Sequence, residues 1–197
     1  MNEENAKLAK IKKSCNVGKK VSQALFVIAV IGAIACFISG IFILSSGKKF
    51  DGWVKEAEAA GYVSTSDEFG SAKLFNINPG SLPKDFHSDI PAWQDAIEDH
   101  PLSFAYGMYV LVMGVGAAIV AVTIMLIKSV FATIEKENTP FTPNVRKKVT
   151  IILIITSGII MCTVGAGFAV LGALITWAVN AILDYGITLQ TESDETL

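Results

Sequence analysis

Three uncharged, mostly apolar runs decide what this chain can fold into: Val21–Leu44, Phe104–Ile127 and Val149–Leu183. None contains Asp, Glu, Lys, Arg, His or Pro. As helices, the first two reach about 36 Å, enough to cross a hydrocarbon core of about 30 Å with some tilt. Lipid offers no partner to a backbone amide, so such runs must bond internally, as transmembrane helices do. The third run is too long for one crossing, at about 50 Å. Divided at Gly165-Ala166-Gly167 it gives two helices of about 25 Å, short but workable as a tight hairpin with interface anchors such as Trp177. The expected fold class is therefore an all-α integral membrane protein. Four transmembrane helices are expected over 21–45, 104–127, 149–165 and 167–183, with a long extracytoplasmic loop, 46–103, between the first and second.

Charge placement orients these spans. Of the 16 basic residues, Lys7, Lys10, Lys12, Lys13, Lys19 and Lys20 precede the first run, and Lys128, Lys136, Arg146, Lys147 and Lys148 lie between the second and third. The remainder lie in the segment from Ser46 to Ser103, outnumbered there by acidic residues. Short basic segments stay on the cytoplasmic side, which makes cytoplasmic pieces of the head (1–20), the connector (128–148) and, after an even number of crossings, the acidic tail (184–197). The head reads as a flank lying on anionic headgroups, with Leu8, Ile11 and Cys15 at helical spacing. It lacks the aromatics and the fold of a nucleic-acid binder. The first run is too long for a signal-peptide core, and Ile43-Leu-Ser-Ser-Gly47 is a poor cleavage site.

Within the spans, small residues suggest packing seams. Gly32, Cys36 and Gly40 recur every four residues, and Gly114 and Ala118 form a small-xxx-small pair in the second span. Asn180, the most polar residue of any run, is expected to cross-link helices together with Thr156, Ser157, Thr163 and Thr176. In the loop, Asp51 is expected to cap a short helix ended by Gly61, Asn78-Pro-Gly-Ser81 to turn, and Asp89 to open a helix over Ala92–Asp99. Trp53, Tyr62, Phe69, Phe86 and Trp93 read as an aromatic belt. His87 with Asp85 and Asp89, or His100 with Asp99, matches no metal spacing of predictive force, so neither metal nor cofactor is expected. The three cysteines, Cys15, Cys36 and Cys162, all lie outside that loop and form no CxxC motif.

The distinctive polar residues lie in the connector and the tail. Thr139-Pro-Phe-Thr-Pro-Asn144, followed by Arg146-Lys-Lys148, and Tyr185-Gly186 through Leu189-Gln190, Glu192 and Asp194-Glu-Thr-Leu197 resemble the Pro-Phe-Thr connector and terminal Gly…Leu-Gln…Asp-Glu-Thr signature of a bacterial family of four-span membrane proteins. That family is known as a domain of unknown function, number twenty-nine seventy-five in its series. The chain departs from the family pattern where Pro143 runs straight into Asn144, and in the length of its outer loop. The resemblance implies a bacterial plasma-membrane protein with a regulatory partnership, often with a helix-turn-helix regulator encoded beside it. The candidate partner-binding residues are Pro140, Phe141, Thr142, Asn144 and Arg146 of the connector, with Gly186, Leu189, Gln190, Asp194, Glu195 and Thr196 of the tail. Thr142 and Asn144 have a second expected role, capping the third span. Phe141, between two prolines, would insert at the interface and fix the connector's path.

These residues bear on three classes of function. A non-enzymatic scaffold or regulator binding a cytoplasmic partner through connector and tail fits the one-sided placement of both motifs. A small transporter or channel subunit would need a pore built by homo-oligomerisation, because no ionisable residue lies within a span. An enzyme is not expected: HExxH, GxSxG, phosphate loops, paired intramembrane aspartates and Cys/His arrangements are all missing.

Overall fold

A computed structural model describes residues 3–62, 88–163 and 165–195. These are all-helical, with no strand among them. In chain order the helices are α1 (Glu3–Ser46), α2 (Lys48–Ala59), α3 (Pro91–Asp99), α4 (Pro101–Glu137), α5 (Pro143–Thr163) and α6 (Ala166–Glu195). Among the described residues, three stretches are long and apolar enough to cross a membrane: Ala9–Ser46, Pro101–Glu137 and Gly167–Ser193. α5 differs because Arg146, Lys147 and Lys148 lie inside its first turns, leaving an uncharged stretch of about 22 Å. The chain divides into two units, Met1–Ala29 with Ile119–Leu197, and Val30–Ala118, and α1 and α4 each contribute to both.

Large apolar side chains lie mostly on the surface, with Ile28 65 % and Ile38 64 % exposed, while the buried set is small: Cys15, Ala33, Ala105, Ala121, Val130 and Val145 with Ile97. That is inside-out for a chain in water and expected for helices that meet at small residues and turn large ones to lipid.

In the unit Val30–Ala118, α1 and α4 approach closely where Gly40 meets Gly107 and Leu111, and where Gly114 meets Cys36 and Phe37. The seam differs from the expected Gly32-Cys36-Gly40 row. Gly32 is exposed with nothing beside it, and Ala33 is the buried residue instead. At 3.6 residues per turn, steps of four drift by about 40° each, so Gly32 falls about 80° from Gly40.

Asp51 does not cap α2. It sits within the first turn of that helix, after Gly47, and its buried carboxylate accepts the backbone N–H groups of Ser103 at 2.6 Å and Leu102 at 3.4 Å. These are among the orphan donors that open α4, so the cap is supplied from 52 residues away in sequence. The fully buried Ser103 returns its hydroxyl to the Ile43 carbonyl at 2.7 Å. α2 ends as expected at Gly61, whose φ of 76° lets the N–H groups of Gly61 and Tyr62 reach the carbonyls of Glu58 and Ala57. α3 starts at Pro91 behind Ile90, not behind an Asp89 cap: the Gln94 side chain reaches back to the Ser88 N–H and the Ser88 hydroxyl accepts from Ile90. Of the aromatic belt, Trp53, Tyr62 and Trp93 are exposed, and Trp93 also meets the edge of Phe104 at 6.2 Å. Phe69, Phe86, Asp85, His87 and the turn at 78–81 lie outside the described residues.

In the other unit, α5 and α6 form the expected hairpin, turning through Gly165 at φ 123°, a backbone state suited to glycine. The pair is fastened by Thr150, whose hydroxyl donates to the Asn180 side-chain oxygen at 2.6 Å. Asn180 in turn donates to the Thr176 carbonyl at 2.8 Å. Thr156 and Thr176 bond back along their own helices instead, to Ile152 and Gly172. α4 packs Phe131 against Gly18 of α1, and Lys19 pairs with Glu135 while Lys128 donates to Gln23.

Candidate interaction site at the connector and tail

The connector is mostly helical. Only residues 138–142 lie outside α4 and α5. α4 stops where Asn138 takes φ 59°, the left-handed state that asparagine tolerates at a helix end. Thr139, preceding Pro140, is steered away from helical backbone, and Pro143 starts α5 with its ring at the first helical position.

Thr142 caps α5, its hydroxyl oxygen accepting the Val145 N–H at 3.3 Å while its carbonyl accepts from Arg146. The same hydroxyl donates to Glu137, and Asn144 does not cap the helix: its amide donates to the other Glu137 oxygen at 2.9 Å. The last residue of α4 thus clamps the first turn of α5. The hydrogen bonds from Thr142, then Asn144, hold the Glu137 carboxyl below the ordinary range for glutamate, with smaller help from Lys136 and Lys148. Lys148 reaches back to α4, donating to the hydroxyls of Ser129 at 2.8 Å and Thr133 at 2.6 Å.

The tail, which has no core of its own, continues α6 as helix as far as Glu195. Its inner part lies against the connector. Arg146 pairs with Asp184 at 2.6 Å, the Thr139 hydroxyl donates to the Gln190 side-chain oxygen at 2.7 Å, and the Phe141 ring lies so close over Gly186 that a methyl group there would collide with it. Beside Phe141 a shallow hollow of about 460 Å³ opens along α6, floored by Gly186 and bounded by Ile182, Tyr185, Leu189 and Gln190. Tyr185 is 67 % exposed, and Leu189 is exposed as well.

The structure therefore brings together Phe141, Arg146, Gly186, Leu189 and Gln190 of the sequence candidates. Thr142 and Asn144 act on the helix start. Pro140 is half-buried in the bend, Asp194 and Glu195 lie in the last turn of α6, and Thr196 is outside the described residues. Sequence reasoning missed Glu137, Thr139 and Asp184. Among the described residues, no group of three His, Cys, Asp or Glu side chains is placed to hold a metal.

Among the described residues the fold is all-helical, with three helices long and apolar enough to span a membrane. No family model, no curated protein and no solved structure matches it. The likeness carried by Thr139–Lys148 and Tyr185–Leu197 accordingly rests on those residues themselves.

Proposed function

We propose that this chain is a non-enzymatic membrane scaffold or regulator that docks a cytoplasmic protein on the surface shared by its connector and tail. The observation that carries the reading is the meeting of the two motifs: Phe141 on Gly186, Thr139 on Gln190 and Arg146 on Asp184. These contacts leave Tyr185 and Leu189 exposed beside the hollow, on a stretch of helix followed by Glu192 and Glu195. An exposed tyrosine such as Tyr185 is among the side chains that most often anchor a protein interface, and Leu189 extends the apolar surface beside it.

The topology belonging to this proposal has four crossings, with α5 as a short fourth span and both chain ends in the cytoplasm of a bacterial plasma membrane. Its support is the hairpin at Gly165 and the basic residues at the adjoining ends of α4 and α5, on the connector side. By the resemblance, a helix-turn-helix regulator is the first partner to test.

The deciding experiment is affinity capture with the detergent-solubilised full chain, compared with two variants: Leu189→Lys and a deletion of Gln190–Leu197. A partner retained by wild type and lost from both variants supports docking at this surface. An unchanged partner set after both changes sinks it.

A further inference from the structure

The connector end of α5 carries three consecutive basic residues with three different fates. Lys148 turns to Ser129 and Thr133 on α4. Arg146 spends one guanidinium nitrogen, Nη1, on Asp184 at 2.6 Å, and keeps other N–H groups for a second acceptor. Lys147 is exposed and has no ion pair among the described residues. Arg146 and Lys147 border an open depression of about 430 Å³, completed by Pro143, Thr150, Ile151 and Asn180.

The face of α5 running from that depression is open and apolar. From Lys147, steps of four, three, four and three residues lead to Ile151, Ile154, Gly158 and Met161. Steps in that rhythm stay within about 40° of one line on an α-helix. All four are exposed, Ile154 and Met161 at 59 %, and nothing approaches the position a side chain on Gly158 would occupy. A cationic depression thus opens onto an apolar strip with a shallow notch at Gly158.

We propose that this face binds one anionic phospholipid, its phosphate headgroup between Arg146 and Lys147 and an acyl chain along Ile151, Ile154, Gly158 and Met161. Basic pockets between spans on the cytoplasmic side suit anionic headgroups. The uncharged part of α5, about 22 Å against a core of about 30 Å, draws its basic end down to phosphate depth. A free phosphate would use the cations and leave the apolar strip without a role. The inference rests on α5 crossing the bilayer, whose failure would appear separately in labelling of Cys162 in intact cells.

The test is native mass spectrometry of the full chain released from nanodiscs containing equal phosphatidylglycerol and phosphatidylcholine. One phosphatidylglycerol is expected to be retained in preference to phosphatidylcholine. Lys147→Gln should reduce that preference by about fivefold, the effect of one basic residue near an anionic surface. Lys147→Arg should keep it, as should Lys136→Gln, a control on exposed α4 surface. Ile154→Gln should weaken retention with the cations intact. Equal retention of the two lipids overturns the proposal, as does an equal loss in Lys136→Gln. Displacement of the lipid by millimolar inorganic phosphate, with Ile154→Gln silent, would assign the depression to free phosphate and overturn the lipid reading too. Size-exclusion profiles matching wild type separate loss of binding from loss of fold.

Discussion

The hydroxyl of Thr139 donates to the side-chain oxygen of Gln190 at 2.7 Å, joining two residues 51 positions apart in sequence. The bond ties the bend between α4 and α5 to the last turns of α6, where the chain would otherwise be a free helical end. With Phe141 on Gly186 and Arg146 on Asp184, it makes one surface of what the sequence presents as two separate motifs. The three contacts differ in physical weight, and the difference can be measured.

The Phe141–Gly186 contact should dominate. Any side chain on Gly186 meets the Phe141 ring, so Gly186→Leu must displace it from the bend. Overpacking of this kind costs about 1–3 kcal/mol. In Phe141→Ala the ring is gone and Gly186→Leu should then cost much less, a coupling that a double-mutant cycle on thermal unfolding in detergent would read. Additive effects would mean that the ring does not rest on Gly186.

The Arg146–Asp184 pair should matter little by itself. Its side chains are 43 % and 49 % exposed, and exposed pairs contribute about 0–1 kcal/mol, further reduced by salt. Asp184→Asn is expected to shift the unfolding midpoint only marginally, and less at high ionic strength. A large, salt-insensitive loss would show that the pair is sheltered from water.

What the sequence made legible was set by periodicity and by turn chemistry. Long uncharged runs are unambiguous, and the hairpin at Gly165 followed from arithmetic on helix length. Caps were less legible because a side chain can serve a helix far along the chain. Asp51 looks like the cap of the helix it sits in, yet it serves the amides of Ser103 and Leu102. Asn144 looks like a cap and bonds Glu137 instead. In the candidate site, Phe141, Arg146, Gly186 and Gln190 were readable as motif members, but their pairing depends on how α6 lies against the bend. Glu137 gave no local signal, because its role appears only when the α4 end and the α5 start are side by side.

Glu137 makes the bend sensitive to acid. Its folded carboxyl titrates below the ordinary glutamate range because the charged form is held by Thr142 and Asn144. A depressed carboxylate contributes stability in full above its unfolded pKa and loses it as pH falls through the folded one. The bend should therefore be tightest at neutral pH and loosen below the ordinary carboxylate range. Amide exchange at Val145 and Arg146 reports this directly. Glu137→Gln should exchange faster at neutral pH and lose the acid-dependent step, and a step that persists would assign the titration to another group.

Asp51 should be the costliest polar substitution in the other unit. It is 7 % exposed and accepts from two backbone amides. Asp51→Ala leaves those donors without their cap, a loss of about 1–3 kcal/mol for buried groups hydrogen-bonded to a charge. Asp51→Asn keeps an acceptor oxygen and should recover part of it. The comparison by thermal unfolding in detergent separates the hydrogen bonds from the charge at the helix start. Equal losses in the two variants would mean that the charge carries the effect.

The four-crossing topology makes opposite demands on two cysteines. Cys162 is exposed and lies just before the Gly165 turn, whereas Cys15 is buried in the Lys-rich part of α1. If α5 and α6 are both spans, Cys162 faces the outer boundary and Cys15 belongs to the inner side. A membrane-impermeant maleimide applied to intact cells should then label a variant retaining only Cys162. A variant retaining only Cys15 should stay unlabelled in intact cells and react after lysis in denaturant. Labelling of Cys162 only after lysis would place the end of α5 on the inner side, remove α5 from the crossings, and leave it without the bilayer that its exposed apolar strip requires.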